Sequence, residues 1–233
     1  MKFLKNIFFI LILILNLNSN LYSATGEATV YKITIRQIAL CVSTGSSLSN
    51  CSNPVVIYTG DSGAIDIASV SAGAAAGNLG STSSTTVGTT FSHMQIVMNR
   101  AITISGSGIQ DGASNSCGTA GGTAAANASS NAAGVASAGS GELVVNTGVH
   151  GFATGENAYS PVSSITSTTG TANGTNAGES YFQWRVALTS NYVYDGINPP
   201  KVTVAFDTAN ALGFTGAACL AYAAAPTVTI TLE

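Results

Sequence analysis

Residues 28–40, ATVYKITIRQIAL, decide the fold class. Tyr31, Ile33 and Ile35 fall on one parity, and Ile38 and Leu40 fall on the other. Alternation with a period of two is the signature of a strand with one face buried. The change of phase between Ile35 and Ile38 predicts a bulge or a switch of face near Arg36 and Gln37, because one extra residue moves every later side chain to the opposite side. Shorter runs of the same kind follow: Pro54–Thr59, Ile65–Val70, the set Met94, Ile96 and Met98, then Ile102 and Ile104, and Leu143–Val145. Phe182, Trp184, Val186 and Leu188 form another set, as do Val202, Val204 and Phe206 after the Pro199–Pro200 turn, and Val228, Ile230 and Leu232. Only the Ala-rich residues 67–76 could form a short helix. Many short strands separated by turn residues indicate an all-β protein, an antiparallel β-sandwich of Greek-key or jelly-roll type.

Between the strands lie tracts of small residues. Residues 112–141 contain GTAGGTAAANASSNAAGVASAGSG from Gly118 onward, and residues 163–178 have the same style with Ser, Thr, Gly and Asn. Such segments bury too little apolar area to offset about 1–2 kcal/mol per residue of backbone ordering. They are expected to be long surface loops, able to order against another subunit because small residues let backbones approach closely.

The N-terminus carries Lys2 and Lys5, then the apolar run IFFILILIL at residues 7–15, closed by Asn16, Asn18 and Asn20. A helix needs about 20 apolar residues to span a bilayer, so this run is too short to do so. The pattern describes a secretory signal peptide over residues 1–23, leaving a single β-sandwich domain over residues 24–233. The competing reading is an uncleaved anchor. No later segment predicts a membrane span in the mature chain, and export to the periplasm, cell surface or extracellular space is the expectation.

Charged residues make up 7% of the chain, with a net charge of -3, against about 25% charged in ordinary domains. Nucleic-acid binding requires Lys and Arg to neutralise phosphates, and the few scattered cations here exclude it as an expectation. Four cysteines, Cys41, Cys51, Cys117 and Cys219, allow three disulfide pairings. The short Ser/Gly/Asn-rich loop favours Cys41–Cys51, leaving Cys117–Cys219 to tie the middle of the chain to its end. A metal site lacks both CxxC spacing and neighbouring histidines.

An echo joins two segments. Gly88-Thr-Thr-Phe91 precedes apolar residues 94, 96 and 98; Gly178-Glu-Ser-Tyr181 precedes apolar residues 184, 186 and 188. A duplicated half-sandwich and two unrelated turn-to-strand starts explain this equally well.

Residues 28–104 resemble an uncharacterised group of secreted bacterial β-sandwich domains of the prealbumin-like or carbohydrate-binding-like kind. The resemblance rests on YKITIRQIALC (31–41), IDIASV (65–70) and GTTFSHMQIVM (88–98), with Phe91 where tyrosine is usual. It covers about a third of the chain, implies a sandwich at the cell surface or in the periplasm, and transfers no catalytic residue.

Chemistry is sparse. Gly60-Asp-Ser-Gly63 matches the core of a chymotrypsin-type nucleophile motif, but a serine nucleophile needs a base within about 3 Å, and both histidines, His93 and His150, come later in the chain. Asp-Ser-Gly is also an ordinary turn. His93 is expected to be a partly exposed strand residue and His150 a turn residue. Asp61, Asp66, Asp111, Glu142, Asp195 and Asp207 lie near turns where calcium ligands could converge, without the spacing of a calcium loop. No cofactor is expected, and the protein is read as a non-enzyme. Trp184, Tyr192 and Tyr194 are the candidate ligand-binding aromatics for a surface glycan, set against ordinary core and cross-strand packing. The amphipathic runs 28–35 and 227–233 could complete a neighbour's sheet, since open edges offer unpaired backbone groups. A self-associating structural protein is the leading expectation, and a carbohydrate-binding or adhesin module the alternative.

Overall fold

The structure, a computed structural model, describes residues 25–42, 51, 54–69, 86–125, 132–146, 159–165, 179–197 and 202–232. The expected signal peptide, His150 and most of 163–178 lie outside the described residues, as do most of 67–76. The strands are Thr25–Gly26 (β1), Ala28–Cys41 (β2), Val55–Thr59 (β3), Ala64–Asp66 (β4), Thr90–Asn99 (β5), Ala101–Ile109 (β6), Ser116–Thr123 (β7) and Ala132–Val135 (β8). They continue with Leu143–Asn146 (β9), Tyr159–Val162 (β10), Tyr181–Val193 (β11), Val202–Asp207 (β12), Leu212–Thr215 (β13), Leu220–Ala223 (β14) and Thr227–Leu232 (β15). The described chain is all-β and antiparallel, with thirteen strands in one large sheet and β12–β15 as a second sheet of two. This is a sandwich arrangement. Among the described residues no helix is long and apolar enough to cross a membrane.

Strand β2 organises everything else. Along one edge it pairs first with β6 and then with β5, and along the other with β4 and then β3. The handover falls where the apolar parity changes. Ile35 pairs with Met98 and Gln37 with Val97, so Arg36 is the extra residue of a bulge. Burial follows the parity: Tyr31, Ile33 and Ile35 are buried before the bulge, and Ile38 and Leu40 after it. The bulge therefore keeps both halves of the stripe on the core side.

The GDSG segment holds this bulge in place. The Gly60 N–H donates to the Arg36 carbonyl (2.9 Å) and the Ser62 N–H to the Ile35 carbonyl (3.1 Å). The Ile35 N–H donates to Ser62 Oγ at 2.8 Å, and Ser62 Oγ donates to the Gly63 carbonyl at 2.8 Å. Asp61 takes the Gly63 N–H on one carboxylate oxygen and pairs with Arg36 Nη1 at 2.6 Å on the other. A bulge leaves ladder groups unpaired, and this turn satisfies them.

Met94, Ile96 and Met98 on β5 meet Val186, Trp184 and Phe182 on β11 across a shared ladder. The two segments of the sequence echo are thus adjacent antiparallel partners with their apolar residues on the same face. Against that face lies the two-stranded sheet. Tyr31, Ile33, Ile35, Met94, Met98 and Trp184 line an apolar gap closed by Val204, Phe206 and Pro226. Space for the centre of a water molecule there is about 30 Å³, room for a water or two but not for an organic ligand.

The remaining sheet is built differently. The tract expected to form a surface loop carries β7 and β8, which pair with each other, with β6 and with β14. A Cβ on Gly118 would sit 2.3 Å from the Gly139 carbonyl oxygen, and one on Gly134 would sit 2.4 Å from the Cys219 carbonyl oxygen. The tract orders because absent side chains let backbone pack on backbone within one chain. Only residues 126–131 of it lie outside the described residues. This sheet then curls back: β13 and β1 approach β6, and the Asp111 N–H donates to the Phe214 carbonyl at 2.8 Å. Cys117 on β7 and Cys219 before β14 are joined inside the curl, and Cys41 is joined to Cys51. Both pairings are those favoured by loop length.

Candidate functional site

The serine of the GDSG motif is committed to the Arg36 bulge, as its hydroxyl both accepts from Ile35 and donates to Gly63. His93 is 4% exposed rather than partly exposed, and its Nδ1 lies 2.8 Å from Ser92 Oγ. Five of the six acids noted near turns are engaged by protein groups, Asp61 in the bulge contacts above. Asp66 accepts from the Tyr31 and Ala68 N–H groups, Asp195 from Ile197 and Asp207 from Ala209. Glu142 pairs with Lys32. Among the described residues no three such side chains gather as metal ligands.

The aromatic candidates separate. Trp184 is 6% exposed and belongs to the wall of the apolar gap, so its ring presents no platform to solvent. Tyr192 and Tyr194 are half-buried at the far end of β11. Tyr192 stacks on Phe91 of β5, with centroids 6.5 Å apart and planes 17° from parallel, so one ring face is covered. Burial, with Asp195 and Tyr194 adding to it, pushes the Tyr192 phenol above its ordinary value. Around this end Val87, Val193 and Ile197 are exposed, held together where the Gly88 N–H donates to the Tyr194 carbonyl and the Tyr194 N–H to the Thr89 carbonyl.

The face of β5 and β11 that points away from the core holds polar side chains that alternation in the sequence assigns to solvent. His93, Gln95, Gln183 and Arg185 are all buried there. Arg185 pairs with Gln95 across the ladder, and its Nη2 donates to Gln95 Oε1 at 2.9 Å. Desolvation pulls the Arg185 guanidinium below its ordinary value.

The edges differ in how they are guarded. Exposed edges template pairing with other chains, and natural sheets blunt them with shortness, proline, charge or bulges. β1 is two residues long. β10 includes Pro161, which has no N–H to donate. β3 follows Pro54 and bulges at Ile57, where its register with β2 shifts. β15 lies beside β11, whose Thr189 hydroxyl donates to the Ile230 carbonyl at 2.8 Å. β12, VTVAFD, is six residues long, carries no proline, bulge or lysine, and has no partner on its outer edge among the described residues. Sequence reading singled out the chain-terminal runs instead. Residues 28–35 prove to lie inside the sheet, with β6 along one edge over 28–32 and β4 along the other over 32–34.

No family model, curated protein or solved structure matches the chain.

Proposed function

We propose that this is an exported structural or interaction protein that self-associates through the outer edge of β12. The observation that carries the reading is the contrast among edges: β1, β3 and β10 are short, bulged or proline-bearing and β15 lies against β11, whereas β12 runs six residues without proline or bulge and is charged only at its last residue, Asp207. Export is supported by the leader-like N-terminus and by two disulfides, which persist in oxidising compartments. A surface low in charge favours close approach of identical chains, because weak net repulsion promotes association. The exposed Val87, Val193 and Ile197 beside Tyr192 and Tyr194 offer a second contact area at the end of the same sheet.

Size-exclusion chromatography and electron microscopy of the oxidised mature chain test this. Concentration-dependent oligomers are expected, and Thr203→Lys, which puts a charge on the outer face of β12, should shift them to monomer. A strict monomer at every concentration would defeat the proposal.

A further inference from the structure

Where β2 hands over from β6 to β5, the ladder opens. Ile35 pairs with Met98 and Lys32 with Thr103, so Ile33 and Thr34 stand opposite four residues, Asn99, Arg100, Ala101 and Ile102. Arg100 is the single residue between β5 and β6. A pocket of about 310 Å³ lies at this corner, lined by Asn99, Arg100, Ala101, Asn146, Glu179, Ser180 and Tyr181. That size falls in the range of small-molecule sites, about 300–1,000 Å³.

Three stretches of backbone fix the lining. Asn99 pairs with Tyr181, Ala101 pairs with Asn146, and the Arg100 N–H donates to the Ser180 carbonyl at 3.0 Å. Arg100 is 4% exposed. Burial lowers its pKa from the ordinary value, and the negative charge of Glu179 acts in the opposite direction. The pocket therefore holds one cation and one anion supported by rigid strand ends, a preorganised set of polar groups.

We infer that this corner pocket binds a neutral sugar, a hexopyranose unit of a glycan. The charges decide the class. A free anion entering here meets Glu179, and a cation meets Arg100, so a neutral occupant is favoured over either. Each hydroxyl of a sugar both donates and accepts. Arg100 and Asn146 are engaged within the wall, and the half-buried Glu179 carboxylate, Asn99 amide and Tyr181 phenol are the complement of neighbouring hydroxyls. Tyr181 supplies an aromatic wall for the apolar side of the ring, with the Arg36 guanidinium 5.9 Å from its centroid holding it in place. This site is separate from the β12 edge and does not depend on self-association.

Saturation-transfer NMR on the oxidised mature chain tests it. The probes are methyl glucoside, methyl galactoside, methyl mannoside and N-acetylglucosamine, with N-acetylneuraminic acid and glucosamine as charged comparisons. At least one neutral probe should receive saturation, and its affinity should fall about tenfold or more in Glu179→Gln and in Tyr181→Leu, each of which removes a single contact. Glu179→Gln preserves shape, and an unchanged melting curve shows that the loss is local. Silence from every neutral probe, equal binding by both variants, or tighter binding of a charged probe than of any neutral one would overturn the assignment.

Discussion

The two disulfides close loops of very different length, and removing them one at a time should separate chain entropy from local packing. Cys117 and Cys219 are 102 residues apart, and Cys41 and Cys51 are 10 apart. In the loop-closure account the longer bridge is worth about 4.7 kcal/mol and the shorter about 2.7 kcal/mol at 25 °C. Packing losses act in the same direction, because Cys117 and Cys219 are both inaccessible whereas Cys41 is buried and Cys51 half-buried. The double variant Cys117→Ala/Cys219→Ala should therefore cost about 2 kcal/mol more than Cys41→Ala/Cys51→Ala. With a urea slope of about 2–3 kcal/mol/M, that difference is about 1 M in midpoint. Urea titration of the oxidised protein, followed by far-ultraviolet circular dichroism and Trp184 fluorescence, measures it. An equal or larger loss from the short-loop variant would refute the reasoning and show that the bridge between β7 and β14 contributes little beyond its immediate contacts.

Four residues give further expected outcomes. Tyr31→Phe leaves the buried Ala224 carbonyl without the phenol that donates to it at 3.0 Å, a loss of about 1–2 kcal/mol by urea melt. Burial raises the Tyr31 pKa, so the folded state keeps a proton that the unfolded state releases; stability falls as pH rises above about 10, by up to about 1.4 kcal/mol per pH unit, and titration of melts should show this slope weakened in Tyr31→Phe. Ser62→Ala removes the acceptor for the Ile35 N–H and should cost about 1–2 kcal/mol, while a fluorophosphonate probe leaves Ser62 of the parent chain unlabelled; stoichiometric labelling would restore the hydrolase reading. Gln95→Leu strips a neutral partner from the buried Arg185 guanidinium and should lower stability by about 1.5–3 kcal/mol. Gly118→Ala forces a methyl group against the backbone at 137–139, and its melting temperature should drop well below that of an exposed control such as Gly112→Ala, although Gly112 has positive φ.

Much of this architecture was legible from bulk alternation alone. The phase change between Ile35 and Ile38 located the Arg36 bulge, because a burial stripe cannot skip parity without an extra residue. The pairings of the four cysteines followed from the shortness of one loop. Strands β7, β8, β13 and β14 escaped notice because SCGTAGGT, AAGV, LGFT and LAYA contain too few bulky residues for alternation to show. Their signal is steric: glycine stands where another backbone comes within contact distance. The expected partial exposure of His93 failed for a similar reason, since periodicity reports two faces but not whether the second is covered. The corner pocket depends on Arg100, Asn146 and Glu179, which are far apart in the chain and come together only through the ladders of β5, β6, β9 and β11. No spacing rule could have gathered them.

The pairing of the first strand with the thirteenth sets an order of events during synthesis. Thr25 bonds to Asn210, 185 residues away, and β1 closes the curled sheet against β13. A polypeptide delivered amino end first must leave that seam open until almost all of it has arrived. The curled half therefore cannot mature early, and a chain still short of its last strands keeps its long bridge unformed and its seam open.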